Sequence, residues 1–314
     1  MGSEFTIRNA VKISDITGLG KTTVGFVLVG FATSIPELSV SVFAVANPAN
    51  IGVSIGNVLG SNIVNIALVL GVCILIIVLR RPRYPSFLLT VAKGEMGNLH
   101  FGLFIASIIP LVLLYIGYAS RFVGVILIGI FVYYMVQVAR TNRTKQEIME
   151  VHTSERSKIR RHAVLALAGV SVVVVTAFFI VESSSFIAGS VGIPRVVIGA
   201  TIVAFGTSIP ELATSVSSAR KGHFDLALGN IVGSGFINIT LILGVALIAS
   251  PLTVNIAAFS NLVMFSLITN LFLWYFIGSD KISWREGALL LSLYVIFLLI
   301  SFGSGSIITP TSNG

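Results

Sequence analysis

The chain has 314 residues, 55% of them hydrophobic and only 10% charged, whereas soluble domains carry about one quarter charged residues. With a mean hydropathy of +0.99 it is excluded as a soluble globular domain and reads as an integral membrane protein. The net charge of +8 sits in short clusters between apolar runs, which excludes a nucleic-acid reader, and the lone Cys73 excludes a disulfide framework or a Cys-rich metal site.

Crossing a hydrocarbon core of ~30 Å takes ~20 helical residues. In chain order, apolar runs of that kind cover 22–46, 51–79, 99–118, 122–139, 163–187, 196–219, 226–250, 256–278 and 284–302. Nine transmembrane helices are therefore expected. The one long polar stretch, 141–161, is too charged to be buried and reads as a solvated linker. It divides the chain into a first half at 1–140 and a second at 162–302, with a polar tail at 303–314.

Orientation follows from the basic residues, because positive loops stay on the cytoplasmic side. With the linker inside, 18 of the 20 Lys and Arg lie on the cytoplasmic side, all but Arg121 and Arg195.

Within this frame one motif occurs twice, as "FATSIPELSV" at 31–40 and "FGTSIPELAT" at 205–214. The expected topology runs the two copies in opposite directions. Inverted repeats of this kind form transporters that bind their cargo near the midplane. The repeat also leaves a gap: "GIPRVVIG" follows a full apolar run, whereas its counterpart "GLGKTTVG" follows only a short polar segment. A tenth helix is expected in front of it, truncated in this sequence.

Proline lacks the N–H that a helix uses, so Pro36 and Pro210 are expected to free the carbonyls around Ala32/Thr33 and Gly206/Thr207. Open backbone at membrane depth persists only inside protein or beside a cavity. Each proline is followed by an acid, Glu37 or Glu211, and a charge at the bilayer centre costs ~2.5–3.5 kcal/mol even on the lenient insertion scale. No Lys, Arg or His stands at comparable depth to neutralise these two.

Thr33, Glu37 and Ser41 share a helical face beside Ser34, and Thr207, Glu211 and Ser215 repeat the arrangement beside Ser208. Two further stripes run at steps of four, Asn57–Ser61–Asn65 in "GNVLGSNIVN" and Asn230–Ser234–Asn238 in "GNIVGSGFIN". The accompanying Gly56, Gly60, Gly229 and Gly233 form small-xxx-small patterns for close helix packing. Carboxylate, amide, hydroxyl and carbonyl oxygens are hard ligands suited to Ca²⁺, and two glutamates balance one divalent charge.

These motifs resemble the two alpha-repeats of the Ca²⁺:cation antiporter superfamily, which includes Na⁺/Ca²⁺ and Ca²⁺/H⁺ exchangers. The resemblance covers nearly the whole chain. It implies an all-α polytopic fold of two inverted five-helix halves, ten helices in all. It implies that Glu37, Glu211 and the Thr33 and Thr207 carbonyls ligate Ca²⁺, that Asn65 and Asn238 complete or orient the site, and that Ser34, Ser208, Ser61 and Ser234 occupy positions used for Na⁺ in sodium-coupled members.

This chain departs from the pattern with Ala32 against Gly206 and with Gly235 against Asn62. Asn238 stands where some prokaryotic sodium exchangers carry an aspartate. With two carboxylates, two protons can replace one Ca²⁺. The expectation is a secondary antiporter of a prokaryotic cell membrane that exports Ca²⁺ in exchange for H⁺ by alternating access. The alternative is a Na⁺/Ca²⁺ exchanger with the same Ca²⁺ site. A cation channel fits less well, because inverted stripes suit a closed site better than a symmetric pore. No HExxH or GxSxG pattern supports an enzyme, and His100, His152, His162 and His223 are expected in loops or at helix ends. The expected partners are the lipid bilayer and inorganic cations, with no obligate protein partner.

Overall fold

The computed structural model describes residues 2–17, 20–45, 51–80, 93–148, 160–168, 171–172, 175, 195–249, 252–253, 256–278 and 283–305. Among these the chain is almost entirely helical. In order, the helices are α1 (Gly2–Thr17), α2 (Lys21–Thr33) and α3 (Ile35–Ala44), α4 (Gly52–Leu79), α5 (Lys93–Ile116), α6 (Arg121–Ile148), α7 (160–168), α8 (Val196–Thr207) and α9 (Ile209–Arg220), α10 (Phe224–Ala249), α11 (Ile256–Gly278) and α12 (Trp284–Gly305). Five of the described helices are long and apolar enough to cross a membrane, or seven if each bent pair counts as one span. Eight of the nine expected runs coincide with helices here; most of the ninth, 163–187, lies outside the described residues, as do the polar tail and much of the linker.

Two expected spans, 22–46 and 196–219, are each broken in two. The halves meet at 40° between α2 and α3 and at 44° between α8 and α9. The break falls at Ser34 (φ −82°, ψ 5°) and Ser208 (φ −81°, ψ 5°), two residues before the prolines. Pro36 and Pro210 thus stand in the first turn of the second helix, where a missing N–H costs nothing. Neither proline can donate to the carbonyl four residues earlier, that of Ala32 or Gly206, and the Gly206 carbonyl accepts a backbone N–H from the bend instead.

The polar stretch before residue 20 turns out to be helical. In α1, Ile7, Ala10 and Ile13 are buried against Val24, Val29 and Leu226. Its polar groups are buried too: Thr6 Oγ1 donates to the Ala166 carbonyl at 3.2 Å, and Asn9 Oδ1 lies 2.6 Å from His162 Nδ1. Mean hydropathy passes over such a helix because it carries both kinds of residue on its buried face.

The glycines fix how the halves interlock. A Cβ on Gly229 would strike the Thr22 carbonyl and one on Gly233 the Phe26 carbonyl, while Gly30 lies against Gly233 and Ser234. Residue numbers on α2 and α10 rise together, so these helices run parallel. In the same way Gly56 and Gly60 of α4 meet Val196 and Ala200 of α8. Within the second half, Glu211 pairs with Ser234 and Thr214 with Asn230, so α9 and α10 are antiparallel. Their hairpin is closed by Gly222 at φ +84°, where His223 N–H returns to the Ser218 carbonyl at 2.9 Å. The helix pair bearing Glu37 therefore runs opposite to the pair bearing Glu211, as inverted repeats require.

Elsewhere a two-residue antiparallel ribbon, Tyr118–Ala119 with Leu252–Thr253, ties the end of α5 to the start of α11. Lys21 Nζ lies 3.2 Å from His223 Nδ1 across the two halves, and burial, then the Lys21 charge, holds that imidazole below its usual range.

Gly233→Ala should lower the thermal midpoint of the purified protein in detergent by an amount equivalent to ~1–3 kcal/mol, the usual cost of overpacking. Gly129→Ala, whose Cβ meets nothing within 4 Å, should not. Equal midpoints for the two variants would contradict the interlocking described above.

Candidate cation site

The α2/α3 and α8/α9 breaks, with the middle turns of α4 and α10, bring together the polar residues that the sequence set in four stripes. Glu37, Glu211, Thr33, Thr207, Ser61, Ser234 and Asn238 are fully buried, and Ser34, Ser208 and Asn65 almost so.

The contacts cross between halves. Ser34 Oγ donates to Glu211 Oε1 and Ser208 Oγ to Glu37 Oε1, both at 3.4 Å. Thr33 Oγ1 lies 3.2 Å from Asn230 Oδ1, and Thr207 Oγ1 lies 3.0 Å from Asn57 Oδ1. Ser61 Oγ reaches Thr207 Oγ1 at 3.4 Å, and Ser234 Oγ reaches Thr33 Oγ1 at 3.5 Å. Each contact has its inverted twin. Symmetry fails at Ser234, which also donates to Glu211 Oε1 at 3.1 Å, and at the two bridging amides: Asn230 Nδ2 binds Thr214 and Ser215, whereas Asn57 Nδ2 binds the Glu37 carbonyl.

Each carboxylate spends one oxygen on these hydroxyls. The other oxygens, Glu37 Oε2 and Glu211 Oε2, are buried with no hydrogen-bond partner, as are both amide atoms of Asn65 and of Asn238. Asn65 and Asn238 are bonded to none of the other site residues; they sit one turn beyond Ser61 and Ser234 on the same faces. Both fall in π-type turns, Val64–Leu70 and Asn238–Ile242, and α2 and α8 carry such turns at Gly25–Val29 and Gly199–Val203. Widened turns of this kind are frequent at functional sites.

Chemically, the arrangement offers two carboxylates and neutral oxygens, all buried. No group of three or more His, Cys, Asp or Glu that could hold a metal ion occurs among the described residues, and the donors gathered here are hard oxygens. Asn57 and Asn230 were visible in the sequence as members of polar stripes, but their bridging of the two halves was not. Ser266, Thr269 and Asn270 on α11 are also buried, and no repeat of theirs in the first half drew attention to them. His100 falls inside α5 instead of at its end, stacked on Trp274 at 5.1 Å.

The model of the family described as sodium/calcium exchanger protein matches residues 1–139 and 161–303. This chain belongs to that family. As such it is a membrane transporter and not an enzyme. Among its relatives, the sodium/calcium exchanger MaX1 of Methanosarcina acetivorans is 33% identical over 96% of this chain and 94% of its own. The inner membrane protein YrbG of Escherichia coli is 27% identical over 91% and 87%, respectively. The putative antiporter CaxA of Alkalimonas amylolytica is 28% identical over 95% and 93%. A solved structure of the sodium-calcium exchanger NCX_Mj, soaked with Na⁺ and Sr²⁺, superposes with a TM-score of 0.74 at 29% identity, covering 96% of this chain and 93% of that one. One soaked with Na⁺ and Ca²⁺ gives 0.73 at 27% identity.

Ser34→Ala and Ser208→Ala each remove a donor to a buried carboxylate. Each should lower the stability of the protein in chelator by ~1–3 kcal/mol, measured by chemical unfolding in mild detergent. Ser41→Ala, which removes a hydroxyl with no partner, should cost clearly less; an equal cost would contradict the cross-repeat bonding.

Proposed function

We propose that this exchanger moves Ca²⁺ across the bilayer against Na⁺, with Glu37 and Glu211 holding the two cations in turn. The observation that carries this reading is the pair of free carboxylate oxygens, Glu37 Oε2 and Glu211 Oε2, buried between oppositely running helices without a basic partner among the described residues. A Ca²⁺ ion cancels both charges. The Thr33 and Thr207 carbonyls, with Asn65 and Asn238, supply the neutral oxygens that a coordination number of 6–8 demands. Two Na⁺ ions restore the same balance, and Ser34, Ser208, Ser61 and Ser234 offer hydroxyls around them.

Sodium is favoured as counter-ion by this ring of hydroxyls and by the names of MaX1 and NCX_Mj. A second reading, exchange for H⁺, is favoured by one specific feature: position 238 is asparagine, so only two carboxylates require neutralising. Two protons suffice for that. In both readings the halves rock or slide about a fixed site, so the glutamates face one side at a time. The halves 1–140 and 162–302 form the two moving parts, the linker 141–161 lies in the cytoplasm, and Ca²⁺ leaves the cell.

The test is Ca²⁺ uptake into proteoliposomes under an imposed Na⁺ or pH gradient. Uptake should follow the Na⁺ gradient at constant pH, and Glu37→Gln or Glu211→Gln should each reduce it by more than about a hundredfold, the effect of ~3 kcal/mol at a buried charge pair. Uptake that follows the pH gradient and ignores Na⁺ would transfer the assignment to H⁺. Transport that survives both substitutions would refute the site.

A further inference from the structure

Away from the cation site, four cations meet on two helices: Arg8 and Lys12 on α1 of the first half, and Arg160 and Arg161 on α7, which opens the second. Positive residues are usual at a cytoplasmic membrane face, and charges scattered there need no ligand. Here the fold gathers them. Lys12, Arg161 and Arg8 all bear electrostatically on the one His162 imidazole, and all four cations are exposed. Among the described residues none of the four is held in an ion pair. The acids of α1, Glu4 and Asp15, are exposed beyond either end of its basic pair.

Two contacts fix how α1 and α7 meet. Thr6 Oγ1 donates to the Ala166 carbonyl at 3.2 Å, and Asn9 Oδ1 lies 2.6 Å from His162 Nδ1. A step of three residues forward on α1 is answered by a step of four back on α7, so the two helices are antiparallel. Their inner faces are packed, with Ile7, Ala10 and Ile13 buried and Ala163 against them.

The outer faces are ordered alike. Phe5, Arg8 and Lys12 follow one another at spacings of three and four on α1, and Arg160 or Arg161, Val164 and Leu167 do the same on α7. The antiparallel pairing therefore sets the basic residues side by side at one end. Phe5, Val164 and Leu167, which are 42%, 58% and 40% exposed, stand together at the other. That apolar end points into the membrane, because on α7 it continues into the apolar run 163–187. A surface basic at the interface and apolar beneath it matches a lipid with an anionic headgroup. A free anion would use only its upper part.

We propose that α1 and α7 form a binding site for an anionic phospholipid, with Arg8, Lys12, Arg160 and Arg161 on its phosphate and Phe5, Val164 and Leu167 along its acyl chains. Arginine forks match phosphate oxygens in pairs, and each Lys or Arg near an anionic headgroup is worth about fivefold in affinity. A lipid held there bridges the two halves of the chain. The site is separate from Glu37 and Glu211 and does not depend on which ions they exchange.

The experiment titrates the purified full-length chain, in mild detergent, with phosphatidylglycerol or with phosphatidylcholine of the same acyl chains, and counts bound lipid by native mass spectrometry. The wild type should prefer phosphatidylglycerol by about tenfold or more. Arg8→Gln and Arg161→Gln should each cut that preference by about fivefold and together abolish it; the single variants carry the test if the double one folds poorly. Arg220→Gln combined with Lys221→Gln removes two exposed cations from the α9–α10 hairpin and should leave the preference intact. An equal loss in that control would reduce the effect to general surface charge and overturn the site. Equal binding of the two lipids by the wild type would overturn it as well. Millimolar inorganic phosphate should not displace the lipid, and full displacement would replace the lipid site by a simple anion site.

Discussion

Two carboxylates buried in one membrane protein, with no basic residue beside them among the described residues, set the terms for everything around them. Each charge left bare at the bilayer centre is costly, and two of them repel. The protein answers with hydroxyl and amide dipoles from the opposite half: Ser208 reaches Glu37 and Ser34 reaches Glu211. These donors occupy one oxygen of each acid and leave the other oriented and unsatisfied. In the proposed function, a bound cation answers the charge that these donors leave unmatched.

That arrangement requires backbones to approach closely, which the glycines allow. Gly25, Gly229 and Gly233 hold α2 against α10, and Gly56, Gly60 and Gly199 hold α4 against α8. Each of these contacts joins one half to the other, so the polar cluster sits on the seam that the proposed alternating access would shear or rock. The bends at Ser34 and Ser208 place Glu37 and Glu211 in the first turns of α3 and α9, where a helix N-terminus favours negative charge. The packing and the charge therefore serve the same few residues.

Much of this was legible in the sequence. The spacing of Thr33, Glu37 and Ser41 and of Asn57, Ser61 and Asn65 announced helical faces, and the repeat announced their partners. The break itself was expected at the prolines but falls at the serines before them, because a proline is at ease in a first turn. α1 was passed over because Thr6, Asn9 and Ser14 dilute the hydropathy of a helix whose polar groups find partners only after folding. The cross-repeat hydrogen bonds were not readable, since which Asn meets which Thr depends on the parallel packing of α2 with α10.

The central claim is that Glu37 and Glu211, brought from opposite halves, form one shared Ca²⁺ site. Equilibrium Ca²⁺ titration of the purified chain by calorimetry, in sodium-free buffer, tests it most directly. A single Ca²⁺ bound per chain, lost in Glu37→Gln and equally in Glu211→Gln, is the predicted result. Two Ca²⁺ ions per chain, with one retained in each single variant, would mean two separate sites and would contradict the account.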